Sequence, residues 1–139
     1  MILDSSAIVA VLLAEPGHEA VLERIKASSI LACGAPTLVE AGMVLSSKLK
    51  RDARPLLNEF LRDAEVEIVP FTGEHADVAT SAFLRYGKGR HPAGLNFGDS
   101  MAYAIARVSG FPLLYLGDDF AKTDLGGSET GAPQRPGQE

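Results

Sequence analysis

The sequence predicts a single α/β domain in which helices cover both faces of a central, mostly parallel sheet. Its 139 residues are enough for one hydrophobic core and too few for two. Short apolar stretches alternate with helical patterns along most of the chain. No hairpin signal such as Asn-Gly joins two of the strands, so consecutive strands need helical crossovers, and helical crossovers connect parallel strands.

The N-terminal half predicts strands at residues 1–3 and 30–33 and helices at 7–13, 18–27, 36–50 and 53–64. Each strand is a short apolar run, and the first one ends at Asp4. The sequence Glu-Pro-Gly separates the first two helices, because proline and glycine interrupt helical hydrogen bonding. Pro36 suits the first turn of its helix, where a missing N–H costs nothing.

The C-terminal half predicts strands at residues 66–71 and 113–116 and helices at 73–84 and 97–110. Thr72 or Gly73 caps the first of these helices. Residues 126–139 have no apolar periodicity. We therefore expect one folded domain over residues 1–125 and a disordered C-terminal tail over 126–139.

The stretch from Leu95 to Gly110 is the most informative part of the chain. Asn96 caps the helix, and Asp99 follows three residues later, which is the spacing of a capping box. After Asp99, Arg107 is the only charged residue of this helix, so we expect the helix to be mostly buried. A carboxylate at the N-terminus of a buried helix either completes the cap or points into a site.

Composition limits the function classes. Thirteen basic and eighteen acidic residues give a formal charge of −5, which argues against a surface that coats nucleic acid and still allows a local basic rim. The single cysteine, Cys33, lies in an apolar run, which predicts a buried side chain and no disulfide or zinc site. We see neither an export signal nor an apolar stretch that is long enough for a membrane span, and we expect a cytoplasmic protein.

Acidic residues stand at positions that a parallel sheet brings to one edge. Asp4 follows the first strand, and Asp118 and Asp119 follow the last. Glu40 lies about one turn into the helix after the second strand, and Asp99 begins the helix that leads to the last strand. Strand carboxyl ends and helix N-termini meet at that edge, where ligands bind. Each acid alone has a simpler explanation, but together they predict a shared site.

Carboxylates this close repel one another unless a cation lies among them. The sequence has no Cys or His cluster for zinc, and ligation by oxygen alone suits Mg²⁺ or Mn²⁺. Such a metal orients a water molecule, lowers its pKa and stabilises charge on phosphate, which makes phosphodiester hydrolysis the natural chemistry. Ser6 and Asn96 are candidates to hydrogen-bond the carboxylates or a metal-bound water, and helix capping is the alternative for both.

Four motifs carry a resemblance to a known family. They are MILDSSA at the N-terminus, PTLVEA around Glu40, NFGDSMAYAIA around Asp99 and LLYLGDDFAKTDL near the end. In this order and spacing, residues 1–125 resemble the PIN-domain ribonucleases, and most closely the VapC-type toxins of bacterial toxin–antitoxin pairs. The resemblance implies a three-layer α/β/α sandwich, an endoribonuclease that depends on Mg²⁺ or Mn²⁺, a homodimer, and inhibition by a small antitoxin whose C-terminal segment enters the acidic groove.

Carried over by motif, the resemblance implies that Asp4, Glu40 and Asp99 are the catalytic metal ligands. The fourth acid falls in the sequence GDDF, where it is either Asp118 or Asp119. Other members often have Asn at the position of Asp118, which favours Asp119.

The resemblance also suggests a role for two basic clusters, since an RNA phosphate approaching an acidic centre needs positive charge at the rim. Solvated helix ends are the alternative explanation. The clusters are Lys48, Lys50, Arg51 and Arg54 after the Glu40 helix, and Arg85, Lys88, Arg90 and His91 before the Asp99 helix.

Two other functions share part of this pattern. A haloacid-dehalogenase-like phosphatase also has an N-terminal strand that ends in Asp and a late Gly-Asp-Asp, but its second acid would stand at Ser6. A non-enzymatic phosphate-receiver domain has a similar length, but its acceptor Asp would follow the middle strand, where Thr72 and Gly73 stand instead.

The helices at 7–13 and 36–50 carry more apolar side chains than one sheet face can bury. These side chains are Ile8, Val9, Val11, Leu12, Leu13, Met43, Val44 and Leu45. We expect the exposed part to bind a second copy of the chain and the antitoxin. We also expect a basic antitoxin residue, an arginine, to enter the acidic site and pair with the carboxylates in place of metal.

Overall fold

The structure is a computed structural model that describes residues 1–126. A parallel sheet of four strands forms its centre. The strands lie in the order β3-β2-β1-β4, and their bounds are β1 Ile2–Leu3, β2 Leu31–Gly34, β3 Val66–Val69 and β4 Leu113–Leu114. Ile2 pairs with Ala32 on one side and with Leu113 on the other. The N-terminal strand β1 therefore lies between two other strands of the sheet, and Asp4 follows this central strand.

Within residues 1–126, six α-helices and a 3₁₀-helix surround the sheet. They are α1 Ser5–Leu13, α2 His18–Ala27, α3 Ala35–Leu49, α4 Arg54–Asp63, α5 Gly73–Tyr86, α6 Phe97–Ser109 and the 3₁₀-helix Phe120–Lys122. The structure confirms each predicted α-helix. Helix α1 begins two residues earlier than predicted, because Asp4 caps it by accepting a hydrogen bond from the Ser6 backbone N–H.

Two hydrophobic cores lie on opposite faces of the sheet. Ile2 and Leu113 pack in the core under α5 and α6. Their neighbours Leu3 and Leu114 pack in the core under α1 to α4. Successive side chains of a strand point to opposite faces, so two-residue strands are long enough to join both cores. The predicted three-layer α/β/α sandwich is confirmed.

Two strands end earlier than predicted, and the local hydrogen bonds explain why. The strand predicted at 66–71 ends at Val69, because Pro70 has no N–H to donate to a neighbouring strand. The strand predicted at 113–116 ends at Leu114, and the Leu116 N–H donates to Ser6 Oγ at 3.0 Å instead. The 3₁₀-helix after Asp119 was not predicted, since three residues are too few to show a periodic pattern.

The buried side chain predicted for Cys33 is confirmed, and burial raises the pKa of its thiol to about 12. From residue 127 onward, the predicted disordered tail lies outside the described residues. Over residues 1–126 no single helix has the length and apolar character needed to cross a membrane, although α1 and α2, bent by 111° to each other, reach that length and composition as a pair.

Candidate active site

Asp4 is a buried carboxylate, 3% exposed, at the end of β1. Its Oδ2 accepts hydrogen bonds from the Ser6 hydroxyl at 2.6 Å and from the Ser6 backbone N–H at 3.1 Å. Its Oδ1 is buried and has no hydrogen-bond partner in the described part of the chain. Burial raises the pKa of Asp4 to about 6, although the bonds from Ser6 oppose the shift. One oxygen of Asp4 is thus fixed by the helix cap, and the other is available to a ligand.

Glu40 reaches Asp4 from α3. The Ser5 hydroxyl donates to Glu40 Oε1 at 2.7 Å, and the Glu40 carboxylate lies against Gly98 in the first turn of α6. The charge of Glu40 contributes to the raised pKa of Asp4. Sequence reasoning missed both Ser5 and Gly98 as site residues. The only signal in the sequence is their position, each next to a predicted acid at the start of a helix.

Asp99 lies in the predicted capping box at the start of α6. The Asp99 N–H donates to Asn96 Oδ1 at 2.8 Å, and the Asn96 N–H donates to Asp99 Oδ2 at 3.1 Å. The pKa of Asp99 is raised to about 7, mainly by burial, and further by the charges of Asp4 and Asp119 and by a side-chain hydrogen bond with Asp119. The structure therefore brings Asp4, Glu40, Asp99 and Asp119 together. Asp118 lies half-buried beside Asp119 in the same loop.

The two polar residues predicted beside the acids hold them in place. Ser6 donates to Asp4 and accepts from the Leu116 N–H, so its hydroxyl connects the first strand to the chain after the last one. Asn96 is the N-cap of α6 and also donates its backbone N–H to Asp99. Asn96 therefore both caps α6 and hydrogen-bonds a carboxylate, because the capping box that closes the helix also orients Asp99.

The donor set fits a divalent cation. Every donor is an oxygen, and Asp4 Oδ1 is buried with no hydrogen-bond partner among residues 1–126. Besides burial, the nearby charges of Asp4 and Asp119 raise the pKa of Asp99, and a cation among these carboxylates would offset that repulsion. Within residues 1–126, no three His, Cys, Asp or Glu side chains stand close enough to hold a metal ion as they are, so the carboxylates would have to move closer together around one.

The basic residues before α6 lie at the end of α5 and in the loop that leads to α6. The Leu95 N–H donates to the Tyr86 carbonyl at 3.0 Å, and the Lys88 N–H donates to the Leu95 carbonyl at 2.9 Å. These bonds close the loop on itself next to Asn96. Arg85, Lys88 and Arg90 are exposed, and two of them lie over aromatic rings: Arg85 is 4.9 Å from the Tyr86 ring centroid, and Arg90 is 5.7 Å from that of Phe83.

The second basic cluster lies farther along α3. Lys48 is eight residues after Glu40, which corresponds to roughly 12 Å along a helix. Its ammonium group forms an ion pair with Glu15 at 2.9 Å. Arg51 is exposed just after the end of the helix. This cluster is therefore at the far end of α3 from the acids.

Comparison with known proteins gives the family. A family model described as the PIN domain matches residues 1–125. The chain belongs to the PIN domain family. The VapC ribonuclease Mb0640 of Mycobacterium bovis is 38% identical to it over 125 residues, which make up 90% of this chain and 95% of that protein.

Solved structures share this PIN fold. One is VapC20 of Mycobacterium tuberculosis, described as a toxin that cleaves the sarcin-ricin loop, with a TM-score of 0.71, 16% identity and coverage of 86% of this chain and 92% of that one. Another is a toxin–antitoxin complex from Klebsiella pneumoniae, with a TM-score of 0.66, 16% identity and coverage of 99% and 98%. None of these matches favours the phosphatase or the phosphate-receiver alternative.

Proposed function

We propose that this protein is an endoribonuclease toxin that hydrolyses RNA phosphodiester bonds with Mg²⁺ or Mn²⁺ and is neutralised by an antitoxin. The observation that carries the proposal is the meeting of four acids from distant parts of the chain, with an unpartnered buried oxygen on Asp4 and a raised pKa on Asp99. Relatives named VapC ribonucleases support the reaction type. The phosphatase alternative lacks an acid at Ser6, whose hydroxyl is committed to Asp4.

We assign the four acids Asp4, Glu40, Asp99 and Asp119 as the residues that hold the metal. When bound, the metal supplies a water molecule of lowered pKa and neutralises charge that develops on the phosphate. Ser6, Ser5 and Asn96 keep Asp4, Glu40 and Asp99 in place through the hydrogen bonds that they make in the folded chain. These hydrogen bonds limit how far the carboxylates have to move when the cation and the RNA arrive.

Arg85, Lys88 and Arg90 fit the role of phosphate contacts, because the loop that follows Arg85 and carries Lys88 and Arg90 closes next to Asn96, at the start of α6. The chain carries a net charge of −5, so positive charge on this loop would lower the repulsion between the protein and RNA. Lys48 and Arg51, predicted for the same role, lie farther from the acids, and Lys48 is neutralised by Glu15. We assign these two at most to contacts with the RNA chain away from the cut.

We further propose a homodimer, because large apolar side chains remain exposed where α3 approaches α6. Val39 is 62% exposed, Met43 66% and Phe97 80%. The contact of Glu40 with Gly98 shows that these two helix segments lie together. A second copy of the chain would bury this surface. Light scattering that finds a monomer at micromolar concentration would overturn the dimer.

A separate groove of about 580 Å³ between α1, α2 and α4 suits the antitoxin. Val11, Leu12, Leu22, Ile25 and Phe60 are among the residues that line it. Of the apolar side chains from which the sequence predicted an exposed surface on α1 and α3, Ile8, Val9 and Leu45 are buried in the core, and Met43 is exposed. Val11, Leu12, Leu13 and Val44 are half-buried. An antitoxin that binds here and places an arginine among the carboxylates would block the site. Undiminished cleavage in the complex would contradict this arrangement.

The test of the function is incubation of the purified chain with total RNA, with added Mn²⁺ or Mg²⁺ and with EDTA in its place, followed by mapping of the cut ends. We expect cleavage at defined sites with metal and none with EDTA. Metal-independent cleavage would overturn the metal assignment. Steady release of phosphate from a phosphomonoester, with intact RNA, would favour the phosphatase.

A further inference from the structure

Gly98 occupies a place where any side chain would meet the carboxylate of Glu40. A Cβ added at Gly98 would stand 2.7 Å from Glu40 Cδ and 2.8 Å from Oε1, and nearer still to Oε2. Such distances are shorter than any that real Cβ atoms keep from their neighbours, so the carboxylate and a side chain at this position exclude each other.

The backbone gives no other reason for a glycine here. Gly98 lies in the first turn of α6 and is not among the glycines with positive φ. Glycine is a poor residue within a helix, and alanine would support α6 better. The glycine therefore lowers the helix propensity of α6 at a position that faces Glu40.

The other side of the Glu40 carboxylate is fixed by Ser5, whose hydroxyl donates to Oε1 at 2.7 Å. Glu40 thus lies between the start of α1 and the start of α6. These are the two helix N-termini that also carry Asp4 and Asp99. The carboxylate, whose charge acts on Asp4, occupies this place only because nothing projects from residue 98.

We propose that Gly98 is a positioning residue, whose missing side chain leaves the space in which Glu40 joins the acidic cluster. This role rests on the proposed function. The carboxylate is the far end of a flexible side chain, so an added methyl group displaces Glu40 and leaves the backbone of α6 in place. The substitution Gly98→Ala then separates folding from metal binding.

The first experiment titrates Mn²⁺ by calorimetry into the full-length chain and its Gly98→Ala variant, and records thermal unfolding of both without metal. We expect affinity to fall about tenfold or more, as for other changes that disturb the orientation of a metal ligand. We expect the thermal midpoint to stay the same or to rise. Unchanged Mn²⁺ affinity would overturn the inference.

Gly73→Ala is the matched control. Gly73 also lies in the first turn of a helix, α5, and a Cβ added there meets nothing within 4 Å. The same gain in helix propensity is available without a neighbour to displace. We expect Mn²⁺ affinity within about twofold of the unsubstituted chain, and a loss equal to that of Gly98→Ala would overturn the inference.

A double-mutant cycle with Glu40→Ala tests the contact itself, with thermal stability in the absence of metal as the readout. Gly98→Ala should stabilise the chain more in the Glu40→Ala background, where no carboxylate has to move. Gly98→Ala could instead shift the thermal midpoint equally with and without Glu40→Ala, or unfold the chain in both cases. Either result would overturn the inference, since residue 98 would then act through α6 alone.

The unsubstituted chain distinguishes the two levels of the proposal. If it neither binds Mn²⁺ nor cuts RNA, the proposed function fails. If it does both while Gly98→Ala binds Mn²⁺ equally well, only the role of Gly98 fails.

Discussion

Two helix N-termini carry acids of the candidate site, and they hold them in different ways. Asp4 is itself the N-cap of α1, and both hydrogen bonds from Ser6 go to the same oxygen. Asp99 lies inside α6, where the backbone N–H of Asn96 holds one oxygen and Asp119 bonds to the carboxyl group. The pKa of Asp4 is about 6 and that of Asp99 about 7.

The difference shows which neighbouring groups control the ionisation of Asp4 and of Asp99. The hydroxyl and N–H of Ser6 stabilise the ionised form of Asp4 even though it is buried. Asp99 has one backbone donor and acidic neighbours, so its ionisation depends more on what binds between the carboxylates. Asp4 is thus the fixed acid of the cluster, and Asp99 is the acid whose charge responds to cation and pH.

The largest effect, a loss of RNA cleavage, should come from removing the charge of Asp99. With Asp99→Asn we expect RNA cleavage to fall by about 10²-fold or more, because charge stabilisation in the site is lost while the capping geometry of an Asn side chain remains. Cleavage assays with Mn²⁺, alongside circular dichroism to verify folding, provide the measurement. A folded variant that cuts RNA at the original rate would contradict the site assignment.

The same substitution should change the stability of the metal-free chain in a way that depends on pH. The folded pKa of Asp99 is raised, so its ionisation destabilises the fold as pH rises from its ordinary pKa of about 4 through about 7. Asp99→Asn should therefore be more stable than the unsubstituted chain at pH 8, by on the order of 1–3 kcal/mol, with little difference at pH 4. Urea unfolding at both pH values tests this, and a constant difference would contradict it.

The affinity for Mn²⁺ should depend on pH through the raised pKa values of Asp4 and Asp99. Protons compete with the cation for Asp99 and Asp4, whose pKa values are about 7 and about 6. We expect Mn²⁺ to bind about 10- to 100-fold more tightly at pH 8 than at pH 5.5. Calorimetric titration across this range checks the prediction, and affinity that does not depend on pH would show that these carboxyl groups are not the ligands.

The adjacent acids of the last loop allow a sharper comparison. Asp119 contributes to the raised pKa of Asp99, so Asp119→Asn should weaken Mn²⁺ binding about tenfold more than Asp118→Asn does. The two variants have the same charge and differ by one position, which makes each the control for the other. The reverse order would move the fourth ligand to Asp118.

The smallest effect should come from the support of the fixed acid. Ser6→Ala removes the donor to Asp4 and the acceptor of the Leu116 N–H. We expect a loss of about 0.5–1.5 kcal/mol in the free energy of unfolding and a higher pKa for Asp4. Chemical denaturation gives the first value, and a carbon-detected NMR titration of the carboxyl gives the second. Unchanged stability would mean that water replaces the hydroxyl.

Several features of the site were predictable because they are local in the chain. The capping box of Asn96 and Asp99 spans three residues, and its geometry agrees with the sequence pattern. The position of Asp4 after the first strand follows from a run of apolar residues. The alternation of strands and helices predicted the parallel sheet, and the structure confirms it.

Other features depend on residues that meet only in the folded chain. Ser5 and Glu40 are 35 residues apart, and Leu116 reaches Ser6 from 110 residues away. The space beside Gly98 exists because α3 packs against α6, and no pattern around residue 98 indicates it. The exposure of Phe97, at the start of a helix that is otherwise mostly buried, also follows from packing.

The sequence by itself determined the order of elements, the caps and the identity of the acids, because propensity, periodicity and capping act over a few neighbouring residues. Only the tertiary structure decided which hydroxyl holds which carboxylate, that Asp119 acts on Asp99, and which glycine leaves room for Glu40. Those outcomes change with shifts of about 1 Å in how the helices pack on the sheet, and close packing fixes such small shifts only when the whole core is assembled.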